Sequence, residues 1–180
     1  MRIVLASVLA LIAIGCAAGS DRSEGAAPAT AAAATAVPCD SGASEGAGVG
    51  RRDVVIGPLA LVAARNNADR RRTAFGGHGY KIPATLPVGQ IATLKVPPRW
   101  HGKVGLIFTQ ADQARAWEKG VRGAPRAVRF TACANPEAGT RSGWPGGIVV
   151  DRPRCPMLVV RVVGSSERHR ARVPLGRRCT

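Results

Sequence analysis

Aromatic side chains are scarce in this chain: three Trp, three Phe and one Tyr in 180 residues. So few rings offer no evident stacking platform for single-stranded nucleic acid. Acidic residues are also few, 11 against 26 Lys plus Arg. Asp53, Asp69, Asp112, Glu118, Glu137, Asp151 and Glu167 stand well apart, so no local pair marks a glycosidase. Histidine occurs three times, at His78, His101 and His169, distant from the cysteines, and no C-x-x-C pair exists. A zinc site therefore has no signature, and no metal is expected. G-x-S-x-G, H-E-x-x-H, phosphate-loop and dinucleotide motifs are all missing; no catalytic residue is assigned and no cofactor is expected. His78, in FGGHGYK, has no indicated Ser or Cys partner, and that segment reads as a turn entering a strand.

No apolar run near the start reaches the roughly 20 residues of a membrane-spanning helix. Residues 3–14 (IVLASVLALIAI) are twelve uncharged residues behind Met1-Arg2. That length behind a positive end fits the core of an export signal. The run stops at small residues around Cys16, and polar residues follow from Ser20 to Glu24.

In Ala13-Ile14-Gly15-Cys16 the chain resembles a bacterial lipoprotein precursor. The match lies at Gly15 and Cys16; the departure is Ala13, where that class usually carries Leu. The resemblance covers only about the first sixteen residues. It implies a signal peptide over residues 1–15, cleavage before Cys16 and a diacylglyceryl group on that cysteine. The chain is then expected at the cell membrane, lipid-anchored on the extracytoplasmic side. Ordinary secretory cleavage at Gly15, Ala17 or Ala18 is the alternative, giving a secreted protein. Residues 16–50 read as an Ala/Gly/Ser-rich tether, too poor in large apolar side chains to offset the entropy of ordering.

With Cys16 lipidated, Cys39, Cys133, Cys155 and Cys179 remain. Four cysteines in an exported chain imply two disulfides. Three pairings are possible; the expectation here is Cys133–Cys155 with Cys39–Cys179. Trp144, in GWPGG, is expected to pack over the former bridge.

Residues 51–180 read as one domain, long enough for a proper core. Its short apolar runs are broken by Pro and Gly and alternate with period two. Ala92, Leu94 and Val96 would face inward, opposite Thr93 and Lys95; Val128 and Phe130 would face inward, opposite Arg129 and Thr131. Strands are expected at 53–56, 59–64, 79–86, 90–96, 103–109, 126–133, 147–150, 157–163 and 169–175. LPVGQ suggests a hairpin turn, and TQADQARAWEKG a helix with Asp112 as its cap. The fold class is all-β: a β-sandwich of about seven to nine short strands, immunoglobulin-like in architecture.

Charge is unevenly placed. Residues 1–50 hold two Arg against four acids, and residues 51–180 hold 24 Lys plus Arg against seven. The domain therefore carries +17. Strand parity puts Arg161, Arg168, Arg170 and Arg172 on one outward face; Arg70, Arg71 and Arg72 form a loop cluster, and Arg177-Arg178 a third group. Asp151 beside Arg152 and Arg154 reads as a local ion pair. An Arg face of this kind fits an anionic partner outside the cell, an envelope polymer or lipid headgroups. It also fits a merely solvated face in a chain from a GC-rich genome. The function expected is non-catalytic binding of an anionic cell-envelope component. The alternatives are an envelope protein–protein interaction module and a secreted hydrolase whose residues meet only in the fold. Nucleic acid is not expected, because export removes the chain from the cytosol.

Overall fold

Alternation of apolar and polar residues builds most of this protein, and turns rich in Gly and Pro decide where each strand stops. The computed structural model describes residues 33–41, 44–45, 48–133 and 139–180. Residues 1–15, Cys16 and the first half of the expected tether lie outside the described residues.

Among the described residues there are thirteen short strands and one α-helix. The strands are β1 (Thr35–Val37), β2 (Ser44–Glu45), β3 (Val54–Ile56), β4 (Leu59–Leu61), β5 (Gly79–Lys81), β6 (Ala84–Pro87), β7 (Ile91–Lys95), β8 (Val104–Ile107), β9 (Ala127–Thr131), β10 (Arg141–Trp144), β11 (Gly147–Val150), β12 (Met157–Val162) and β13 (Arg168–Arg172). The helix α1 spans Gln110–Lys119. The strands form two five-stranded sheets, β1-β9-β7-β12-β13 and β2-β10-β6-β4-β3, and a three-stranded sheet, β5-β11-β8. The all-β expectation holds, with more and shorter strands than anticipated.

One hydrophobic core joins all three sheets. Ala92, Leu94, Val128, Phe130, Leu158 and Val160 come from the first sheet. They share a cluster with Ile56, Leu59, Leu61 and Leu86 of the second and with Leu106 and Ile148 of the third. Each large aliphatic side chain withdrawn from water contributes about 1.5–3 kcal/mol. The third sheet is buried on both faces, so β8 and β11 read VGLI and GIVV with no polar alternation. Its second face is covered by α1, where Ala116 meets Ile107 and Val149.

The structure corrects several expectations. The disulfides are Cys39–Cys133 and Cys155–Cys179. The reason is strand order: β1 pairs in parallel with β9, with Val37 opposite Phe130, which brings the residues just after each strand together. Strand β1 also lies within the segment read as tether. Trp144 is buried at 1% exposure as expected. It packs on Phe130 at 5.1 Å rather than over a Cys133–Cys155 bridge, and its indole N–H donates to the Pro38 carbonyl at 3.1 Å, beside Cys39. The expected strand 79–86 breaks into β5 and β6, which belong to different sheets. Pro83 has no N–H to continue a ladder; its carbonyl instead accepts from Val62 N, while Ile82 N donates to Gly146 O. LPVGQ therefore carries the chain from the second sheet to the first and is not a hairpin. The helix cap is Thr109, whose Oγ1 accepts from Asp112 N at 3.1 Å. Asp112 is the third helical residue, buried beside Arg115.

Candidate functional site

Strand parity on the first sheet creates the site. β12 pairs antiparallel with β13 on one side and with β7 on the other. The registers set Arg161 opposite Arg168, Val159 opposite Arg170 and Met157 opposite Arg172. On the other side Val159 faces Lys95 and Arg161 faces Thr93, with Thr93 opposite Arg129 of β9. Since Leu158, Val160, Leu94 and Phe130 are buried at the intervening positions, these outward residues share one surface. Lys95, Arg129, Arg161, Arg168, Arg170 and Arg172 are all exposed there. None of the outward positions on β7, β9, β12 and β13 is acidic.

This surface is not flat. A groove of about 430 Å³ runs along it. Met157, Val159, Pro97 and Pro98 give it an apolar floor, and Lys95, Arg99, Arg161, Arg168 and Arg170 border it. A second, larger recess of about 780 Å³ shares Arg99 and Met157 with the groove and adds Arg152, Arg154, Arg172, Arg177 and Arg178. Arg99 and Arg154 both approach Trp100, with guanidinium carbons 5.8 and 5.5 Å from its ring, within the range at which a cation is attracted to a π face.

Some of these cations already have partners within the protein. Arg154, 8% exposed, contacts both carboxylate oxygens of Asp151 at 2.6 and 2.7 Å. That is the local pair the sequence suggested, while Arg152 joins it only through its backbone N–H. Arg178 contacts Asp69 at 2.9 Å, and that carboxylate raises the guanidinium's already high pKa further. Arg172 donates to the Thr180 carbonyl. Glu167 does not enter the groove; its carboxylate lies 3.2 Å from His169 Nδ1, and His169 sits opposite buried Val160. Arg161, Arg168, Arg170, Lys95 and Arg99 make no ion pair with a carboxylate among the described residues.

The structure divides the sequence-predicted cations. It brings Arg161, Arg168, Arg170 and Arg172 onto one face, as parity required. Arg70, Arg71 and Arg72 are not on it. Arg72 is a structural residue, donating to the Val150 and Asp151 carbonyls at 2.9 and 2.7 Å. Arg70 and Arg71 are exposed beside a small separate recess. Asp69–Arg178 links that loop to the C-terminal cations. Sequence reasoning missed Lys95, Arg129 and Arg99 as members. Parity had already turned Lys95 and Arg129 outward; the missing fact was that β7 lies between β9 and β12.

The groove can hold an anion and does nothing covalent visible in its own lining, which contains no Ser, Cys, His, Asp or Glu among the described residues. Guanidinium groups stay protonated across the physiological range and fork onto carboxylate or phosphate oxygens. Elsewhere His101 Nε2 lies 3.0 Å from the Val96 carbonyl. Among the described residues no three His, Cys, Asp or Glu side chains gather as a metal site would require. No protein-family model, curated protein or solved structure matches this chain.

Proposed function

We propose that this protein is an exported lipoprotein whose basic β domain binds an anionic component of the cell envelope. The observation that carries the reading is the acid-free outward face of β7, β12 and β13 with its groove. Arg161 lies directly opposite Arg168, and like charges across a strand pair are destabilising by about 0.2–1 kcal/mol. A face that keeps such pairs, over an apolar floor, is suited to an anion with an apolar backbone or tail. Two disulfides fit an oxidising, extracytoplasmic compartment. The anchor on Cys16 rests on the resemblance of residues 13–16 to lipoprotein precursors.

A salt series on the full chain tests the binding reading, with three probes: phosphatidylglycerol vesicles, phosphatidylcholine vesicles and soluble poly(glycerol phosphate). Binding to one or both anionic probes, weakening about tenfold or more between roughly 0.05 and 0.3 M salt, is expected, because the Debye length shrinks across that range. Preference for the vesicles identifies headgroups as the source of the anion, and preference for the polymer identifies a wall polyanion. Binding to phosphatidylcholine, which the proposed anchor gives by itself, is the baseline; salt-independent binding of poly(glycerol phosphate), or no binding of either anionic probe above that baseline, contradicts the reading and favours apolar docking on another envelope protein. Intact mass of the membrane-fraction protein tests the anchor: a chain beginning at Cys16 plus a lipid increment is expected, and a lipid-free chain beginning later contradicts it.

A further inference from the structure

A recess of about 920 Å³ shares no lining residue with the cationic groove. We infer that it is a saccharide-binding cleft in which Trp117 is the stacking platform.

Two features of the cleft point to that ligand class, and a third fixes its shape. The first is its aromatic surface. Trp117 is 61% exposed, whereas Phe75 and Phe108, also in the lining, are 6% and 4% exposed. An indole is a large apolar surface that folding normally covers. Here it stands at the rim of a concave site.

The second feature is the polar lining. Gln110, Gln113 and Trp117 occur at i, i+3 and i+7 on α1, one stripe of the helix, and all three line the cleft. Thr73 and Thr109 add hydroxyls. Charges are limited to Asp40 and Lys81 among the described lining residues, and these cancel. In a domain carrying +17, a neutral cleft furnished with amides and hydroxyls selects a neutral ligand rich in hydrogen-bonding groups. Each Gln amide offers two donors and an acceptor, matching a sugar's vicinal hydroxyls, while a pyranose presents its C–H face to an indole. The volume lies in the range of small-molecule sites, and an apolar surface with a few placed polar groups is their usual composition.

The third feature is backbone strain at the floor. Phe75 has φ 54°, in the left-handed region, followed by Gly76 at 68° and Gly77 at 81°. A non-glycine residue is strained there and persists where the surroundings enforce it. Glycine at 146 and 147 makes room for the rings: a Cβ on Gly146 would lie 2.2 Å from Phe108 Cδ1, and one on Gly147 would lie 2.5 Å from Phe75 Cε2. A Cβ on Gly76 would lie 3.1 Å from the Trp117 carbonyl oxygen, so the turn passes close to the end of α1 that carries the indole.

Calorimetric titration of the oxidised full chain with chitotriose, cellotriose and maltotriose tests the inference. At least one trisaccharide is expected to bind at concentrations up to about 10 mM, the weak end of specific recognition. Trp117→Ala should lose about tenfold or more of that affinity, with Trp117→Phe retaining most of it and Gln113→Ala weakening it. Because Trp117 is exposed, far-UV circular dichroism should show all three variants folded. The affinity should barely change with salt, which separates this site from the anion-binding reading: either can fail without the other. Failure of all three sugars to bind the wild-type chain overturns the inference. So does binding that Trp117→Ala leaves unchanged.

Discussion

Asp112 shows how a single side chain is held against its own preference. It is fully buried on α1, its carboxylate pairs with Arg115, and its Oδ2 has no hydrogen-bond partner. Burial pushes its pKa above the ordinary aspartate value of 3.8, and the Thr109 hydroxyl and Arg115 charge only partly oppose that. The folded state therefore binds this proton more tightly than the unfolded state. Its contribution is fully present below pH 3.8 and is lost as pH rises through the raised folded value. Asp112→Asn should flatten that fall, seen as urea midpoints less dependent on pH above 3.8 than those of the wild type. A steeper fall in the variant would contradict the assignment. Gly147 is a second residue whose identity is fixed by contact. A Cβ there would lie 2.2 Å from the Tyr80 carbonyl oxygen. Gly147→Ala should cost about 1–3 kcal/mol by overpacking, read from the urea midpoint. None of this was visible in GWPGG beyond the presence of a turn, because the crowding atoms come from residues distant in sequence.

At the scale of elements, local periodicity was the legible part. Alternation placed Ala92, Leu94, Val128 and Phe130 inward and turned the arginines of β12 and β13 outward, as they stand in the antiparallel pair. The signals that misled were local ones with long-range meanings. LPVGQ has hairpin residues but joins two sheets, and β1 lies in an Ala-rich stretch with no strand signature of its own beyond Val37. Asp112 has a side chain suited to a helix cap, but Thr109 is the residue with extended φ and ψ of −130° and 158°. Thr109→Ala should cost about 1 kcal/mol, measured as a drop in urea midpoint. The β12–β13 pair gives a sharper discrimination. Arg168→Thr removes a charge facing Arg161, so stability should rise by about 0.2–1 kcal/mol while affinity for an anionic probe falls. A merely solvated face would show the stability gain without the binding loss.

For the whole molecule the two covalent bridges set the constraint. Cys39–Cys133 spans 94 residues of sequence and Cys155–Cys179 spans 24. In the chain-entropy picture these closures contribute about 4.7 and about 3.5 kcal/mol. Replacing Cys39 and Cys133 together by Ala should therefore lower the urea midpoint more than replacing Cys155 and Cys179. The composition announced two bridges, but their pairing follows from β1 lying parallel to β9, a tertiary fact. The same holds for the charged face: its arginines on β12 and β13 were readable, while Lys95 and Arg129 joined them through sheet order. The most direct measurement is a chemical-shift map of the oxidised full chain titrated with poly(glycerol phosphate). The account predicts perturbations concentrated at Lys95, Arg99, Arg161, Arg168 and Arg170. Shifts spread evenly over exposed arginines away from this face, such as Arg51, Arg71 and Arg122, with no focus on the groove, would contradict it.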